Sequence, residues 1–327
     1  MNSVQSKVLS ESYNNSTSNI DGSEKFINYF KEDCGIRGIS SETTRRYLSS
    51  LGIFNQYLTE RAQDILYVDK EVIRGFLDYL RRERKVSQKT IENYFSALSS
   101  FYDFLEYEGY VNKNPINAVR KRYIRSYKDN DEGQMRKLIS VDEMARLISS
   151  IIDVRDKAII TLLAKTGIRR HEMIELDVDD IDWGEQEIRL KPTPKRTNRT
   201  VFFDDETAIV LHRWVKARES RNRNNIMALF ISNEGGRLGR NAVYHAVTKA
   251  AMKVGMHNPN SKKAEDRFSP HCCRHWFTTH LRRAGMSREF IQELRGDVRK
   301  EAIDIYDHID KKELRESYLA HIPQLGI

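Results

Sequence analysis

The chain has little cysteine, little proline and no long apolar run, and each shortage removes a class of protein. Three cysteines (Cys34, Cys272 and Cys273) in 327 residues cannot form a disulfide framework. That argues against a secreted scaffold and points to a reducing, cytoplasmic setting. Six prolines and 16 glycines are too few for collagen and unpromising for a turn-rich all-β sandwich. No stretch approaches the ~18 consecutive apolar residues of a membrane-spanning helix. The N-terminal residues are polar and lack the apolar core of a secretory signal. There is no Gly-x-x-x-x-Gly-Lys-Ser/Thr loop, no His-Glu-x-x-His and no Cys-x-x-Cys, so the usual sequence marks of nucleotide-triphosphate and zinc chemistry are missing.

What is present is charge. Asp, Glu, Lys and Arg make up 31% of the chain, and Lys+Arg (55) exceed Asp+Glu (47) for a net charge of +8. Mean hydropathy is −0.65 and the pI is about 9.2. The length suits about two domains, given a typical domain of roughly 150 residues. The basic excess makes nucleic acid a candidate partner, though it is spread over many residues.

Residues 1–23 are rich in Ser and Asn without periodicity and read as a disordered tail. Residues 24–120 read as a helical domain of four helices. The first runs from Lys25 to Lys31, and the others follow the caps Ser40/Ser41, Asp69 and Ser87. Their apolar residues recur at i, i+3, i+4 and i+7, as in Ile91, Tyr94, Phe95, Leu98, Phe101, Tyr102 and Leu105. Such stripes are half-buried helix faces. Asn114-Pro115 closes this block. Residues 121–138 read as a linker. At its start Arg120, Lys121, Arg122, Arg125 and Lys128 fall within nine residues without an acid. A basic run is ordinarily a solvated face, but between two domains it is placed to lie along a phosphate backbone.

A second domain, 139–318, opens on the capping box Ser140-Val-Asp-Glu143. An apolar helix around Ala158–Leu163 follows, then a small hairpin with strands at Glu187–Lys191 and Arg199–Phe203. Helices are expected at 206–218, 240–254, 271–284, 287–295 and 300–308, and residues 319–327 as an extended tail.

Four features in this domain bear chemistry. His271 and Arg274 are three apart near a helix start, so they share a face at an end that favours anions. His271 and His275 beside two cysteines make a metal site thinkable, but core cysteines explain Cys272 and Cys273 better. Gly167-Ile-Arg169 ends an apolar helix, with Glu172 placed to hold the Arg169 guanidinium towards phosphate. Lys191 and Lys195 lie in the segment joining the two strands. Leu294-Arg-Gly-Asp297 is followed by Tyr306 among apolar residues. Each has an ordinary reading when taken alone: a surface ion pair, a solvated loop, a core ring.

Their order is more specific than any one of them. Gly-x-Arg-x-x-Glu, a hairpin lysine, His-x-x-Arg, Leu-x-Gly-x and a tyrosine together resemble the tyrosine recombinase (phage integrase) family over about residues 24–318. The likeness is Xer-like. Arg-Gly-Asp at 295–297 and the closing Pro-x-x-Gly are closer to archaeal or archaeal-virus members. The resemblance implies a mainly α fold. A helical core-binding (SAM-like) domain would precede a mixed α/β catalytic domain, mostly α with a small antiparallel sheet.

It also implies a site. Arg169, His271 and Arg274 would hold the scissile phosphate, with Glu172 supporting Arg169. Tyr306 would be the nucleophile, forming a 3′-phosphotyrosyl link, and Lys195 (alternate Lys191) would protonate the departing 5′-oxygen. Asp297 departs from the family pattern, which has His or Trp there. A carboxylate cannot donate to phosphate, so it is expected to be protonated, to orient Arg274 or Arg295, or to accept the tyrosine proton.

No cofactor and no metal are implied. The partners would be double-stranded DNA, clamped between the domains, and further copies of the chain: a monomer or dimer when free, a tetramer in the synapse, and no membrane. Residues 309–327 would dock on a neighbouring protomer. The alternatives are a catalytically silent DNA-binding relative and a type IB topoisomerase-like activity that relaxes supercoils.

Overall fold

The computed structural model describes residues 19–124, 138–193, 200–261, 263–297 and 309–327. The chain divides into two compact units, Met1–Gly133 and Gln134–Ile327.

The first unit contains α1 (Asn19–Ile36), α2 (Ser41–Thr59), α3 (Lys70–Asp78), α4 (Gln88–Tyr107) and α5 (Ile116–Tyr123). The three starts marked by small polar residues are true caps. Ser40 accepts from the Thr43 amide, Asp69 from those of Glu71 and Val72, and Ser87 from that of Thr90. The stripes meet in one aromatic core that includes Phe30, Phe54, Phe76, Phe95, Phe101 and Tyr102. The Tyr102 hydroxyl, buried with them, donates to the Ile65 carbonyl at 2.8 Å.

Two boundaries differ from the sequence reading. α1 begins at Asn19, inside the stretch expected to be a disordered tail, and runs on past Lys31 to Ile36. Buried Ser23 and Cys34 continue its inward face beyond Phe30; a free cysteine packs as a small hydrophobe. Asn114-Pro115, expected to end the helical block, instead starts α5. The Asn114 carboxamide oxygen accepts from the Ile116 amide at 2.8 Å, and proline is tolerated at a helix start because its missing N–H needs no partner there. Arg120, Lys121 and Arg122 therefore lie in the last turn of a helix. Arg125 and Lys128 lie outside the described residues.

The second unit is built around α7 (Val154–Thr166), whose residues from Ala158 to Thr166 are all buried. Around it are α6 (Val141–Ser149), α8 (Arg170–Ile174), α9 (Asp205–Arg221), α10 (Arg240–Lys253), α11 (Pro270–Arg283), α12 (Arg288–Arg295) and α13 (Lys311–His321). α9 and α11 lie directly against α7. The capping box at Ser140 and Glu143 is formed. The sheet has three antiparallel strands rather than the expected two: β1 (Ile181–Asp182), β2 (Glu187–Arg189) and β3 (Thr200–Phe202). Ile188 stands opposite both Ile181 and Val201, which sets the register. No helix among the described residues is long and apolar enough to cross a membrane.

The C-terminal end also differs. Residues 311–321 form a helix, and it packs on its own unit. Leu314, Tyr318 and Ile322 join Phe202, Phe277, Leu281 and Leu294 in one cluster. The Tyr318 hydroxyl donates to the Lys165 carbonyl at 3.0 Å, and Lys311 pairs with Glu187 on β2 at 2.6 Å. Beyond it, the Glu206 carboxylate accepts from the Leu325 and Gly326 amides. In this structure residues 309–327 are thus packed on their own unit. The expected helix at 300–308 lies outside the described residues.

Candidate active site

Helix α7 ends at Gly167, whose left-handed backbone (φ 61°) turns the chain sharply out of the core. Two residues later Arg169 caps α8. One buried carboxylate holds both ends of that arginine: Glu172 accepts from its amide at 2.7 Å and from Nη1 at 3.0 Å. The spacing of three residues works because N-cap and N3 face each other at a helix start.

Gly167 has a second duty. Its carbonyl accepts from Arg274 Nη1 at 2.6 Å, and a Cβ built on it would lie 2.3 Å from the buried Phe277 ring. Gly167→Ala is expected to destabilise the second unit by about 2 to 5 kcal/mol, combining left-handed strain with overpacking. Urea unfolding checks this, and a loss below about 1 kcal/mol would contradict the packing described.

Arg274 comes from α11. Pro270 opens that helix and His271 is in its first turn. Cys272, Cys273, Trp276 and Phe277 are buried and fix the helix against the core. Burial pushes the Cys273 thiol up from its usual range, as expected of a packing cysteine and not a reactive one. Arg274 is itself buried, and it donates to Gly167 O, to Arg295 O at 2.9 Å and to Asp297 Oδ1 at 3.1 Å. Burial lowers its pKa to about 10, and the neighbouring Arg169 and Arg295 push in the same direction while Asp297 and Glu172 oppose them.

Helix α12 delivers Asp297. Gly296 (φ 60°) ends the helix; its amide bonds Glu293 O at 2.8 Å, and the Asp297 amide bonds Gln292 O at 3.2 Å. This paired 5→2 and 6→1 pattern is a Schellman cap, and it fixes the backbone that carries the carboxylate. Asp297 Oδ1 also accepts from Arg169 Nη2 at 3.2 Å, and Oδ2 pairs with Arg295 Nη2 at 3.0 Å. Asp297 thus contacts three guanidiniums. Both expected partners, Arg274 and Arg295, are present, and Arg169 is added.

Arg169, Arg274 and His271 line a cavity of about 420 Å³ together with Arg170, Tyr244 and Ser269. It opens at the N-terminal end of α11, where backbone N–H groups and the helix dipole favour an anion. Two guanidiniums, an imidazole and a helix start give it the donors that suit an anion such as a phosphate group. Tyr244 and Arg170 escaped the sequence reading, since a tyrosine on a helix and the second of two arginines carry no spacing signal.

The hairpin lysines separate. Lys191 is tied to Asp180 at 2.9 Å and to Asp177 at 3.1 Å, and its pKa is raised, chiefly by the hydrogen bond to Asp180. Lys195 and Tyr306 lie outside the described residues.

Residues 131–313 match the Phage integrase family, and residues 24–109 match its N-terminal SAM-like domain. The chain is 27% identical over 308 residues to tyrosine recombinase XerC of Vibrio cholerae, covering 90% of each protein. It is 29% identical over 303 residues to XerC of Thermodesulfovibrio yellowstonii, covering 90% of this chain and 93% of the relative. In fold it is similar to a lambda integrase (75–356) dimer solved on a COC′ core site. That likeness has a TM-score of 0.65 at 16% identity, over 88% of this chain and 98% of the other.

Proposed function

The chain belongs to the phage integrase family, and we propose from that premise that it cuts and rejoins duplex DNA at specific sites through Tyr306. The observation that carries this reading is the pair Arg169 and Arg274, brought to one cavity beside His271. The two guanidiniums neutralise charge that builds on the non-bridging oxygens as phosphorus is attacked. His271 donates to the phosphate, and Glu172 keeps Arg169 extended towards it.

A tyrosine hydroxyl is a poor nucleophile at neutral pH because its pKa is about 10. The clamp compensates by lowering the barrier to attack. As the Tyr306 oxygen bonds to phosphorus the 5′-oxygen leaves, and Lys195 supplies its proton. A free 5′-hydroxyl of another strand reverses the step. The ester keeps the energy of the broken bond, so the cycle requires neither ATP nor metal.

The first unit and the segment from Arg120 to Lys128 hold the duplex by its phosphates. Arg120, Lys121 and Arg122 are exposed on the last turn of α5, as suits sequence-independent contacts. Four copies of the chain on two duplexes would complete a synapse.

Covalent trapping tests the proposal. A duplex carrying the chromosomal or viral attachment site, nicked so that religation fails, is incubated with the protein and run on a denaturing gel. The wild-type chain is expected to give a protein–DNA adduct, and Tyr306→Phe none, with binding retained. Specific binding without any adduct would mark a silent DNA-binding relative. Relaxation of supercoils without joining of two sites would mark a topoisomerase-like enzyme.

A further inference from the structure

Resting on that reading of the site, we infer that Asp297 is a positioning residue that spaces the two phosphate-binding arginines and leaves their remaining donors for DNA. One oxygen, Oδ1, accepts from Arg169 Nη2 at 3.2 Å and from Arg274 Nη2 at 3.1 Å. The two guanidiniums, carried by elements more than 100 residues apart in sequence, therefore meet on a single atom. The second oxygen holds Arg295 at 3.0 Å. The backbone beneath the carboxylate is fixed by the helix cap at Gly296.

Where Asp297 sits decides between holding the arginines and competing with phosphate. Arg169, Arg274 and His271 line the 420 Å³ cavity, and Asp297 does not. The carboxylate contacts the two cavity-lining guanidiniums at their Nη2 atoms.

Donor arithmetic agrees. A guanidinium has five N–H groups. Arg274 uses three, on Gly167 O, Arg295 O and Asp297, so two remain among the described residues. The Arg169 side chain uses two, on Glu172 and Asp297, so three remain among the described residues. Charge adds a second reason. Arg169, Arg274 and Arg295 converge and repel one another, and the repulsion from Arg169 and Arg295 already opposes the charged form of Arg274. A carboxylate shared among the three offsets that repulsion. A histidine or tryptophan, which donates, would add no negative charge; the aspartate acts on phosphate only through the arginines.

The test compares Asp297→Ala and Asp297→Asn with the wild-type chain on two nicked duplexes. One has an ordinary scissile phosphate and the other a neutral methylphosphonate in its place. Single-turnover formation of the Tyr306 adduct and DNA affinity are measured for each. On the phosphate, Asp297→Ala is expected to react roughly 100-fold more slowly with nearly unchanged affinity, since misplacing a clamp by about an ångström has that effect. Asp297→Asn keeps an acceptor and falls between. On the methylphosphonate, where less charge develops for the arginines to meet, the slowdown is expected to shrink to about threefold.

Equal slowdown on both duplexes would overturn the inference, because it would place Asp297 on the tyrosine or in the fold alone. A rate indifferent to Asp297 would overturn it too. Absence of any Tyr306-dependent adduct from the wild-type chain overturns the strand-cleavage reading itself, whereas an adduct with the wrong Asp297 dependence overturns only this one.

Discussion

Lys165→Met is expected to cost the second unit about 3 to 5 kcal/mol, the range for breaking a buried ion pair by removing one partner. The Lys165 ammonium has no solvent exposure. Its three donors go to Asp204 Oδ2 at 2.5 Å, Glu206 Oε2 at 2.6 Å and Pro323 O at 2.7 Å. Every donor is used, which is the condition for a buried charge to be tolerated. Methionine keeps the length and volume of the stem, so the loss reports the charge and not a cavity. Asp204, itself buried, would be left with an uncompensated charge. Glu206 would keep the Leu325 and Gly326 amides but lose its cation.

The same substitution should loosen the C-terminus. Burial alone would raise the Glu206 pKa, but its bonds to Lys165 and to the Leu325 and Gly326 amides outweigh it and hold the carboxyl below its usual range. Without Lys165 the hub that grips both Pro323 and Glu206 is gone. Hydrogen exchange at the Leu325 amide is expected to accelerate along with the fall in urea midpoint. Neutralising the acids as well (Lys165→Met with Asp204→Asn and Glu206→Gln) should recover part of the loss, since no charge is then stranded. A single-variant loss under about 1 kcal/mol would show that the hub contributes little.

How much of this was legible in the sequence depends on the range of the interaction. Glu172 with Arg169, and Arg274 with His271, are local pairs at helical spacing, and motif reading finds them. The caps at Ser40, Asp69, Ser87 and Ser140 are local too. Helix α13 was missed because Leu314, Tyr318 and Ile322 are four apart among Lys311, Lys312, Glu313, Arg315 and Glu316, so its composition reads as a charged tail. α5 is not legible because a proline reads as a stop, whereas its position after Asn114, whose side chain accepts from the Ile116 amide, makes it a start. Lys165 stands in an apolar helix with no motif around it. Its partners Asp204, Glu206 and Pro323 are remote in sequence, and no periodicity links them.

Asp297 is the sharpest case. The sequence shows a carboxylate where the resemblance expects a donor, which reads as a threat to the chemistry. Only the fold, by placing Gly296 at a helix end and Arg169 and Arg274 within reach, turns that carboxylate into a shared acceptor. The functions of Lys195 and Tyr306 rest on the motif alone, and trapping with Tyr306→Phe is the direct test of the second.

Arg274→Ala is expected to lower the rate of adduct formation by about 10³-fold, the upper range for removing one preorganised donor to a developing oxyanion. It should also destabilise the unit by about 1 to 3 kcal/mol, because the carbonyls of Gly167 and Arg295 each lose their Arg274 donor. The two effects separate in Arg274→Lys. A lysine restores the positive charge, but it is a point charge without the planar fork that reaches Gly167 O, Arg295 O and Asp297 together. If the clamp works through geometry, lysine recovers no more than about tenfold of the lost rate while DNA affinity stays close to wild type. Single-turnover cleavage of a nicked duplex gives the rate, and a gel-shift titration gives the affinity. Wild-type cleavage by Arg274→Lys would mean that charge alone suffices, and the fixed pairing of two guanidiniums would then not be what drives the reaction.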